Sequence, residues 1–233
     1  MKTVVVMQPY FFPYLGYFQL AAASTVFVFL DDVAFIKRGW INRNNFLVQN
    51  RAHLFSVPLQ APSINRQIAT TLVAEDPNWQ IQMLRMLENA YARAPFRNDI
   101  LVLVKQVLSL PYRSIGDLAA ASVRAVCAHV GMPVTWQTSS ENHPQNRLTG
   151  TERIIDICRT LNATCYVNAP GGKDLYDPGE FARSGIELRF LRPVLPPYSQ
   201  AGGAYVSGLS IIDVLMFNPP DVVRAWMEAY ELE

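Results

Sequence analysis

Two adjacent carboxylates, Asp31 and Asp32, follow a short apolar run at residues 25–30 and are the first candidates for chemistry. Neighbouring side chains at a strand end point to opposite sides, so only one of the two is expected to enter a site. That carboxylate could deprotonate a substrate as a general base or bind a metal. The alternative is that the pair only caps the turn after the strand.

A turn rich in aromatic and proline residues spans residues 8–16, directly after the first apolar run at Thr3–Met7. It begins at Gln8 and contains two prolines and four aromatic residues, one of which is Tyr10. Such a turn can form a stiff wall on which a base or sugar ring stacks, with Gln8 supplying hydrogen bonds. The alternative is an ordinary rigid turn whose rings pack into the core.

A stretch dense in hydrogen-bond donors follows at residues 37–44. Its cations could clamp a phosphate or carboxylate, which guanidinium groups bind in bidentate fashion. Its amides could bind hydroxyl groups, and its indole could position a ring. A solvated basic hairpin tip is the alternative. The candidate residues are Lys37, Arg38, Trp40, Asn42, Arg43 and Asn44.

A glycine turn after a later apolar run, residues 164–167, supplies the remaining candidates. Successive glycine N–H groups can form a nest that binds an anion, and a plain turn is again the alternative. The candidates here are Asn168, Gly171, Gly172 and Lys173.

Other catalytic signatures are missing from the sequence. His53, His129 and His143 have no characteristic spacing to a serine or cysteine, and no His/Cys set has the spacing of metal ligands. Neither a Walker-type loop nor GxGxxG is present. We therefore predict no metal site, and the sequence identifies neither a cofactor nor an oligomeric state.

Three of the four candidate groups, the aromatic turn, the aspartate pair and the glycine turn, directly follow predicted strands. Thr3–Met7, a helix at residues 16–23 and a strand at residues 25–30 fit a βαβ unit with parallel strands. Ligands of open parallel sheets bind beyond the carboxyl ends of the strands, where helix N-termini also point. If residues 164–167 belong to the same sheet, the aromatic turn, the aspartate pair and the glycine turn meet at one edge.

The rest of the chain predicts a hairpin, a helical middle and a second α/β region. The hairpin pairs residues 46–49 with 53–59 around Asn50 and Arg51. Capping signals predict helices after Asp76-Pro77, Ser114 (with Asp117), Thr149 (with Glu152) and Ser210 (with Asp213); further helices are expected at 98–108 and 221–230, and strands at 134–138, 164–167 and 186–191.

These elements predict an α/β fold with a mainly parallel three-layer (αβα) Rossmann-like core, a β-hairpin and a helical insertion. We interpret residues 1–233 as a single domain in which residues 76–131 form the helical insertion or lobe. No Gly/Ser-rich linker flanks that segment.

Composition restricts the class of protein. Of 233 residues, 50% are hydrophobic and 17% are charged, which excludes a disordered chain. Twenty Lys and Arg stand against nineteen Asp and Glu, and no sustained basic run indicates nucleic-acid binding. Three widely spaced cysteines indicate buried thiols in a reducing compartment. Because no stretch of about 20 residues is continuously apolar, we expect a cytoplasmic protein without membrane insertion.

Several segments, in the same order along nearly the whole chain, resemble the WbqC-like protein family. They are QPYFFPYLGYF at 8–18, VFLDDV at 28–33, FIK at 35–37, NRN at 42–44, GGKD at 171–174, YSQ at 198–200 and LSIIDVL at 209–215. The resemblance implies a place among O-antigen and other surface-polysaccharide genes, and the transfer of an amino acid such as glycine to a sugar.

We therefore hypothesise a transferase that adds an acyl or aminoacyl group to an activated sugar or a similar small phosphorylated metabolite. One aspartate of the pair would deprotonate the acceptor amine or hydroxyl. The cations Lys37, Arg38 and Arg43 would hold the anionic donor, and Gln8, Tyr10 and Trp40 would position the ring. The expected partner is thus a small sugar or nucleotide-sugar substrate.

Two alternatives remain open. A non-catalytic sugar-nucleotide-binding or scaffold protein is favoured by Met7 and Pro196, which stand at or near positions where the family resemblance implies histidines. A HIGH-like nucleotidyltransferase is suggested by an aromatic and proline turn that ends in Gly16. This chain lacks the histidine and the lysine-rich second motif that such an enzyme uses.

Overall fold

The computed structural model describes residues 1–76, 78–144, 147–200 and 202–233. The strands are β1 (Thr3–Met7), β2 (Val26–Phe29), β3 (Arg43–Val48), β4 (Arg51–Ser56), β5 (Thr135–Thr138), β6 (Cys165–Asn168), β7 (Glu187–Pro193) and β8 (Tyr230–Leu232). The helices are α1 (Leu15–Ala22), α2 (Asn78–Ala90), α3 (Arg97–Ser109), α4 (Ile115–His129), α5 (Ser139–Asn142), α6 (Gly150–Thr160), α7 (Pro178–Ala182), α8 (Ile211–Phe217) and α9 (Pro220–Glu228). Short 3-10 helices occur at Ile68–Thr70 and Pro170–Gly172.

The central sheet has the strand order β5-β2-β1-β6-β7-β8. Its first five strands are parallel, and β8 pairs antiparallel with β7. The chain moves from β1 outward through β2 to β5 and then returns to the opposite side of β1 as β6. A crevice is expected at the carboxyl end of β1, because the strand order reverses there.

Both faces of the sheet are covered, which confirms the three-layer α/β fold. Val5 and Phe27 belong to a large buried cluster with α1 and α4, whereas Val4 and Val28 belong to a second cluster with α6 and α7. Strands buried on both faces consist of continuous apolar runs rather than alternating patterns. This is why Val4–Val6 and the VFVF sequence of β2 identify the centre of the sheet.

The β3–β4 hairpin is present, but its register differs from the prediction. The turn consists of Gln49 and Asn50, both with positive φ (49° and 60°), and Val48 pairs with Arg51. A two-residue turn with both φ angles positive matches the twist of antiparallel strands. The strands therefore begin and end earlier than the apolar residues alone indicated.

Helices α2, α3 and α4 occupy the predicted helical middle. Their apolar residues, including Leu87, Val104 and Val123, lie in the same buried cluster as Phe27 of the sheet and Phe46 of the hairpin. The segment therefore shares one hydrophobic core with the sheet.

The predicted helix caps have different outcomes. The capping box of α4 is confirmed, since the Ser114 hydroxyl accepts from the Asp117 N–H at 3.1 Å and the Asp117 carboxylate accepts from the Ser114 N–H at 2.9 Å. The Asp76 carboxylate accepts from the N–H of Asn78, while the predicted Pro77 lies outside the described residues. The box at Thr149 was wrong: α6 begins there, but the Thr149 side chain makes no capping hydrogen bond.

The predicted C-terminal helix at residues 221–230 was too long. The helix α9 ends at Glu228, and Tyr230 starts the edge strand β8 instead. Three residues are too few for a periodic pattern, so β8 is recognised only by its pairing with Leu191–Pro193.

Helices able to cross a bilayer would need both length and continuous apolarity, and none in the described ranges has both.

Candidate functional site

An aromatic cleft opens on the turn between β1 and α1. A cavity of about 70 Å³ is lined by Tyr10, Pro13, Tyr14, Trp40, Asn44 and Gly208. A smaller cavity of about 20 Å³ shares Tyr14 and Gly208 with it and adds the rings of Tyr198 and Tyr205. We call these two cavities together the aromatic cleft. Three residues predicted from the sequence, Tyr10, Trp40 and Asn44, are thus brought to one site.

The aromatic cleft is shallow, with Trp40 44% and Tyr205 42% exposed at its rim. Enclosed sites for drug-sized ligands measure about 300–1,000 Å³. A ligand ring would therefore stack against the side chains at the rim and stay partly exposed to solvent. A wider groove of about 720 Å³ lies between the hairpin turn and α2, but its lining, within the described residues, contains none of those that follow the parallel strands.

The wall of the cleft is fixed by buried neighbours. The Tyr17 hydroxyl donates to the carbonyl of Gln8 at 2.8 Å, and its ring lies 5.5 Å from that of Tyr10. Burial raises the pKa of Tyr10 and of Tyr14, so both phenols stay protonated at neutral pH. The Gln8 side-chain amide makes no hydrogen bond within the described parts of the chain. It is therefore available to a ligand.

The turn itself is held in an uncommon backbone conformation at Phe12, which has φ of 42°. Its N–H donates to the Ser122 hydroxyl of α4 at 2.9 Å, and its carbonyl accepts from the Asn44 amide at 2.5 Å and the Ser210 hydroxyl at 2.7 Å. A left-handed conformation at a bulky residue persists only where the surroundings enforce it. Side chains from α4, β3 and the start of α8 do so here.

Asn44 thus has a positioning role that the sequence did not reveal. It is buried, and its amide donates to the carbonyls of both Phe11 and Phe12. We expect Asn44→Ala to lower the free energy of unfolding by about 2–3 kcal/mol, since it removes the donor to the buried Phe11 carbonyl and one of the two donors to the Phe12 carbonyl. Urea unfolding measures this.

Asn42→Ala is the matched control for that prediction. The half-buried Asn42 amide donates once, to the Val57 carbonyl at 2.9 Å. We expect a loss of about 1 kcal/mol or less. Equal losses for the two variants would show that Asn44 does not hold the turn.

Gly16 makes room for the Tyr14 ring. A Cβ at this position would lie 2.5–2.9 Å from ring carbons and the hydroxyl of Tyr14. We expect Gly16→Ala to displace the ring and to weaken ligand binding about 2- to 10-fold, the range of one aromatic contact. Stability should change little, because the gain of about 1 kcal/mol in helix propensity offsets the cost of displacing the Tyr14 ring.

A double-mutant cycle checks this interpretation of Gly16. A panel of nucleotide sugars would first be screened by the increase each causes in the melting temperature of the native protein. The affinity for the nucleotide sugar with the largest increase would then be measured for Gly16→Ala, Tyr14→Ala and the double variant. If Gly16 acts through Tyr14, the glycine substitution has no further effect once the ring is gone. Additive losses would contradict that role.

A buried carboxylate lies directly behind the cleft. Asp213 of α8 is completely buried and accepts hydrogen bonds from the Tyr198 hydroxyl at 2.5 Å, the Tyr91 hydroxyl at 2.8 Å and the Gln200 amide at 3.0 Å. Burial raises the pKa of Asp213 from its ordinary value, and the three hydrogen bonds offset only part of that effect. Asp213 therefore connects the interior to Tyr198, whose ring lines the cleft.

The same network shapes the loop that closes the cleft. The Gln200 side chain accepts from the Val206 N–H at 2.9 Å and donates to the Val206 carbonyl at 3.0 Å. Gly208, whose φ of 69° suits glycine, then brings the backbone to the cleft wall.

Sequence reasoning missed Asp213 by assigning it to a cap. Ser210 caps α8 by accepting from the Ile212 N–H at 3.3 Å, whereas the Asp213 side chain contacts Tyr91, Tyr198 and Gln200. The available signal was a lone carboxylate inside the apolar run IIDVLMF. A charge among apolar residues requires buried partners.

The aspartate pair at the end of β2 is buried, and its four oxygens all have partners. Asp31 accepts from the Ser139 hydroxyl at 3.0 Å and from the N–H and hydroxyl of Ser140. Asp32 lies 2.5 Å from the same Ser139 hydroxyl, whose single proton is shared between the two carboxylates, and forms an ion pair with the buried Arg153 at 2.8 Å. These contacts favour a structural connection between β2, α5 and α6. A general base at this position stays a prediction.

The donor-rich stretch divides into two groups. Arg43 donates through Nε to the Gly39 carbonyl at 2.8 Å and through Nη2 to the Arg38 carbonyl. Its guanidinium lies 5.6 Å from the centre of the Trp40 ring. Arg43 therefore orients Trp40. Lys37 and Arg38 are exposed on the turn beside it, where an anion can approach them.

The glycine turn after β6 has its own partners. The N–H groups of Gly172 and Lys173 donate to the carbonyls of Ala169 and Pro170, so neither is available to an anion nest. The Lys173 ammonium pairs with Glu233. Asn168 is buried, with its side-chain oxygen accepting from the Ala169 N–H, and a Cβ at Gly172 would lie 2.7 Å from its amide nitrogen. Gly171 has open space around it. These four residues stay a separate candidate site.

Metal binding has no visible basis in the described residues, which contain no group of three or more His, Cys, Asp or Glu side chains placed to hold an ion.

Comparison with known proteins places the chain in a family. A curated relative, the uncharacterized protein Rv1507c of Mycobacterium tuberculosis (strain ATCC 25618 / H37Rv), is 27% identical over 231 residues, which cover 96% of this chain and 98% of the relative. No solved structure matches the chain. The sequence model of the WbqC-like protein family matches residues 8–225, which include the aromatic turn, Tyr198 and Asp213. The chain belongs to the WbqC-like protein family.

Proposed function

We propose that this protein is a transferase that adds an acyl or aminoacyl group, such as glycyl, to an activated sugar. Membership of the WbqC-like family links the chain to polysaccharide biosynthesis in general. The observation that supports the finer proposal is an aromatic cleft whose lining residue Tyr198 is hydrogen-bonded to the buried carboxylate of Asp213.

The aromatic cleft suits a sugar ring. Tyr10, Tyr14 and Trp40 line the cleft and offer flat apolar faces. Gln8 is not among the lining residues, but it lies two positions before Tyr10, and in this proposal its amide binds a hydroxyl of the substrate. An open rim also suits a sugar that is one part of a larger molecule, since the remainder can extend into solvent.

Cations beside the cleft suit an activated, phosphorylated substrate. Lys37 and Arg38 are exposed next to Trp40 in sequence. Phosphate oxygens accept charge-assisted hydrogen bonds from both kinds of side chain. Arg43, which is already bonded to two carbonyls, acts in this proposal by holding Trp40.

The Asp213–Tyr198 pair can accept the proton that acyl transfer releases. The acceptor amine or hydroxyl attacks the donor carbonyl carbon, a new C–N or C–O bond forms, and the leaving group departs with its bonding electrons. The Tyr198 oxygen takes the acceptor's proton as its own proton passes to Asp213, 2.5 Å away. A carboxylate whose pKa is raised toward neutrality is the better base.

Mass spectrometry tests this proposal directly. The protein would be incubated with a panel of nucleotide sugars and with glycyl and acetyl donors, and the sugar products searched for the corresponding mass increase. Tyr10→Ala and Trp40→Ala should reduce product formation. Tyr112→Ala, which alters a half-buried tyrosine bonded to Gln80 in another groove, is the matched control. Absence of a mass increase with every pair would refute transfer.

A binding protein is the second candidate, favoured by the complete occupancy of the Asp31 and Asp32 oxygens. Thermal unfolding separates the two candidates. Joint stabilisation by a nucleotide sugar and an acyl donor indicates a two-substrate enzyme, and stabilisation by the sugar nucleotide alone indicates a binder.

A further inference from the structure

Positive charge is concentrated in one part of this nearly neutral chain. Residues 33–74 contain five Lys and Arg and no Asp or Glu, which leaves fifteen cations against nineteen carboxylates elsewhere. A segregation of this kind gives one surface a positive potential that the net charge of +1 conceals.

Two neighbouring loops display these cations together with apolar side chains. The Phe35 N–H donates to the Arg66 carbonyl at 2.8 Å, which joins the loop at 36–40 to the loop at 63–66. Isoleucines on the two loops, Ile36 and Ile64, are 49% and 61% exposed, and Trp40 is 44% exposed. The loop patch, as we call it, consists of Ile36, Lys37, Arg38, Trp40, Ile64 and Arg66.

The fold does not neutralise the loop patch. None of the ion pairs formed among the described residues involves Lys37, Arg38 or Arg66. The Gly39 N–H donates to the Ile36 carbonyl at 3.2 Å, and the turn so formed presents Lys37 and Arg38, the latter with φ of 63°. The cations are therefore available to an external anion.

The mixture of side chains identifies the class of partner. Lys and Arg are attracted to anionic lipid headgroups, and exposed aliphatic and aromatic side chains beside them enter the boundary between headgroups and acyl chains. RNA would satisfy the cations, but it offers no apolar medium for two isoleucines. The combination favours a membrane surface.

We propose that the loop patch docks this protein peripherally on an anionic bilayer surface. Trp40 belongs to both the loop patch and the aromatic cleft, so docking brings the mouth of the cleft to the membrane interface. The inference goes beyond the proposed acyl transfer and does not depend on it, because lipid binding is measured without any sugar substrate.

Vesicle flotation with the full chain tests the proposal. Vesicles of phosphatidylcholine containing 30% phosphatidylglycerol should bind the protein, binding should fall in 0.5 M NaCl, and pure phosphatidylcholine should bind far less. The variant Ile64→Ser/Arg66→Gln should lower the partition coefficient at least about tenfold, since one surface cation alone contributes about fivefold.

A matched control exists on another face. Val102→Ser/Lys105→Gln also removes one exposed aliphatic group and one exposed cation, here from α3, and should retain vesicle binding. Thermal unfolding of both variants verifies that they are folded. Equal binding to the two kinds of vesicle, equal loss in the two variants, or displacement from vesicles by single-stranded RNA at stoichiometric amounts would each overturn the proposal.

Discussion

Asp213→Asn is expected to slow sugar acylation about 100- to 10,000-fold, the range that a general base contributes. Asparagine keeps the shape of the side chain but cannot take a proton from Tyr198. The same loss is expected for Tyr198→Phe, which removes the hydroxyl that links the cleft to Asp213. Initial rates of product formation, measured by mass spectrometry at saturating substrate, report the effect.

Tyr91→Phe separates catalysis from structure. It removes a hydrogen bond of 2.8 Å to the same carboxylate, but Tyr91 is buried and does not line the cleft. We expect a loss of about 1–2 kcal/mol in the free energy of unfolding and a much smaller loss of rate than for Asp213→Asn. If Asp32→Asn stops transfer while Asp213→Asn does not, the base lies at the end of β2.

The raised pKa of Asp213 also predicts how stability depends on pH. Between the ordinary carboxyl pKa and the raised pKa, the folded protein binds more protons than the unfolded chain does, so the contribution of Asp213 to stability falls as pH rises. Asparagine does not titrate. The stability advantage of the native chain over Asp213→Asn should therefore be largest at acid pH and shrink as pH rises through that window. An advantage that grows would contradict it.

Arg153→Met is expected to lower the free energy of unfolding by about 3–5 kcal/mol, because it leaves the Asp32 carboxylate buried without its counter-charge. Arg153 is 4% exposed, pairs with Asp32 at 2.8 Å and also donates to the His143 carbonyl. Methionine preserves most of the apolar stem. Urea unfolding followed by circular dichroism measures the difference.

Arg159→Met is the control in the same helix. Its guanidinium is exposed and, among the described residues, donates to the Ser184 hydroxyl at 3.1 Å, so the cost should stay within about 0.5 kcal/mol. Adding Asp32→Asn to Arg153→Met should recover part of the lost stability, since it removes the unpaired charge. No recovery would show that the loss comes from packing.

The layers of this fold and the parallel β1–α1–β2 unit follow from local patterns, and so they could be predicted, whereas the order of the six strands was not predicted. Val4–Val6 and the VFVF run of β2 are apolar throughout because helices cover both faces. The hairpin register could not be predicted, because Gln49 and Asn50 adopt their positive φ angles only when β3 and β4 pair. The edge strand β8 is likewise defined by its partner.

The cleft residues that lie in short continuous segments could be predicted from the sequence. The contacts between residues from distant segments could not. Tyr10, Trp40 and Asn44 were recognised because they lie in two short polar and aromatic stretches. Asp213 became visible only through Tyr91 and Tyr198, which are separated from it by 122 and 15 positions. The sequence also could not show that the Asp31 carboxylate is already hydrogen-bonded, because the serines that donate to it lie 108 and 109 positions away.

The hydrogen bonds that hold the Phe12 peptide have a consequence for folding during translation. The three side chains that form them, Asn44, Ser122 and Ser210, are widely separated in sequence, and Ser210 lies 198 positions after Phe12. During translation the N-terminal turn therefore cannot settle into its final form until residue 210 has left the ribosome and docked.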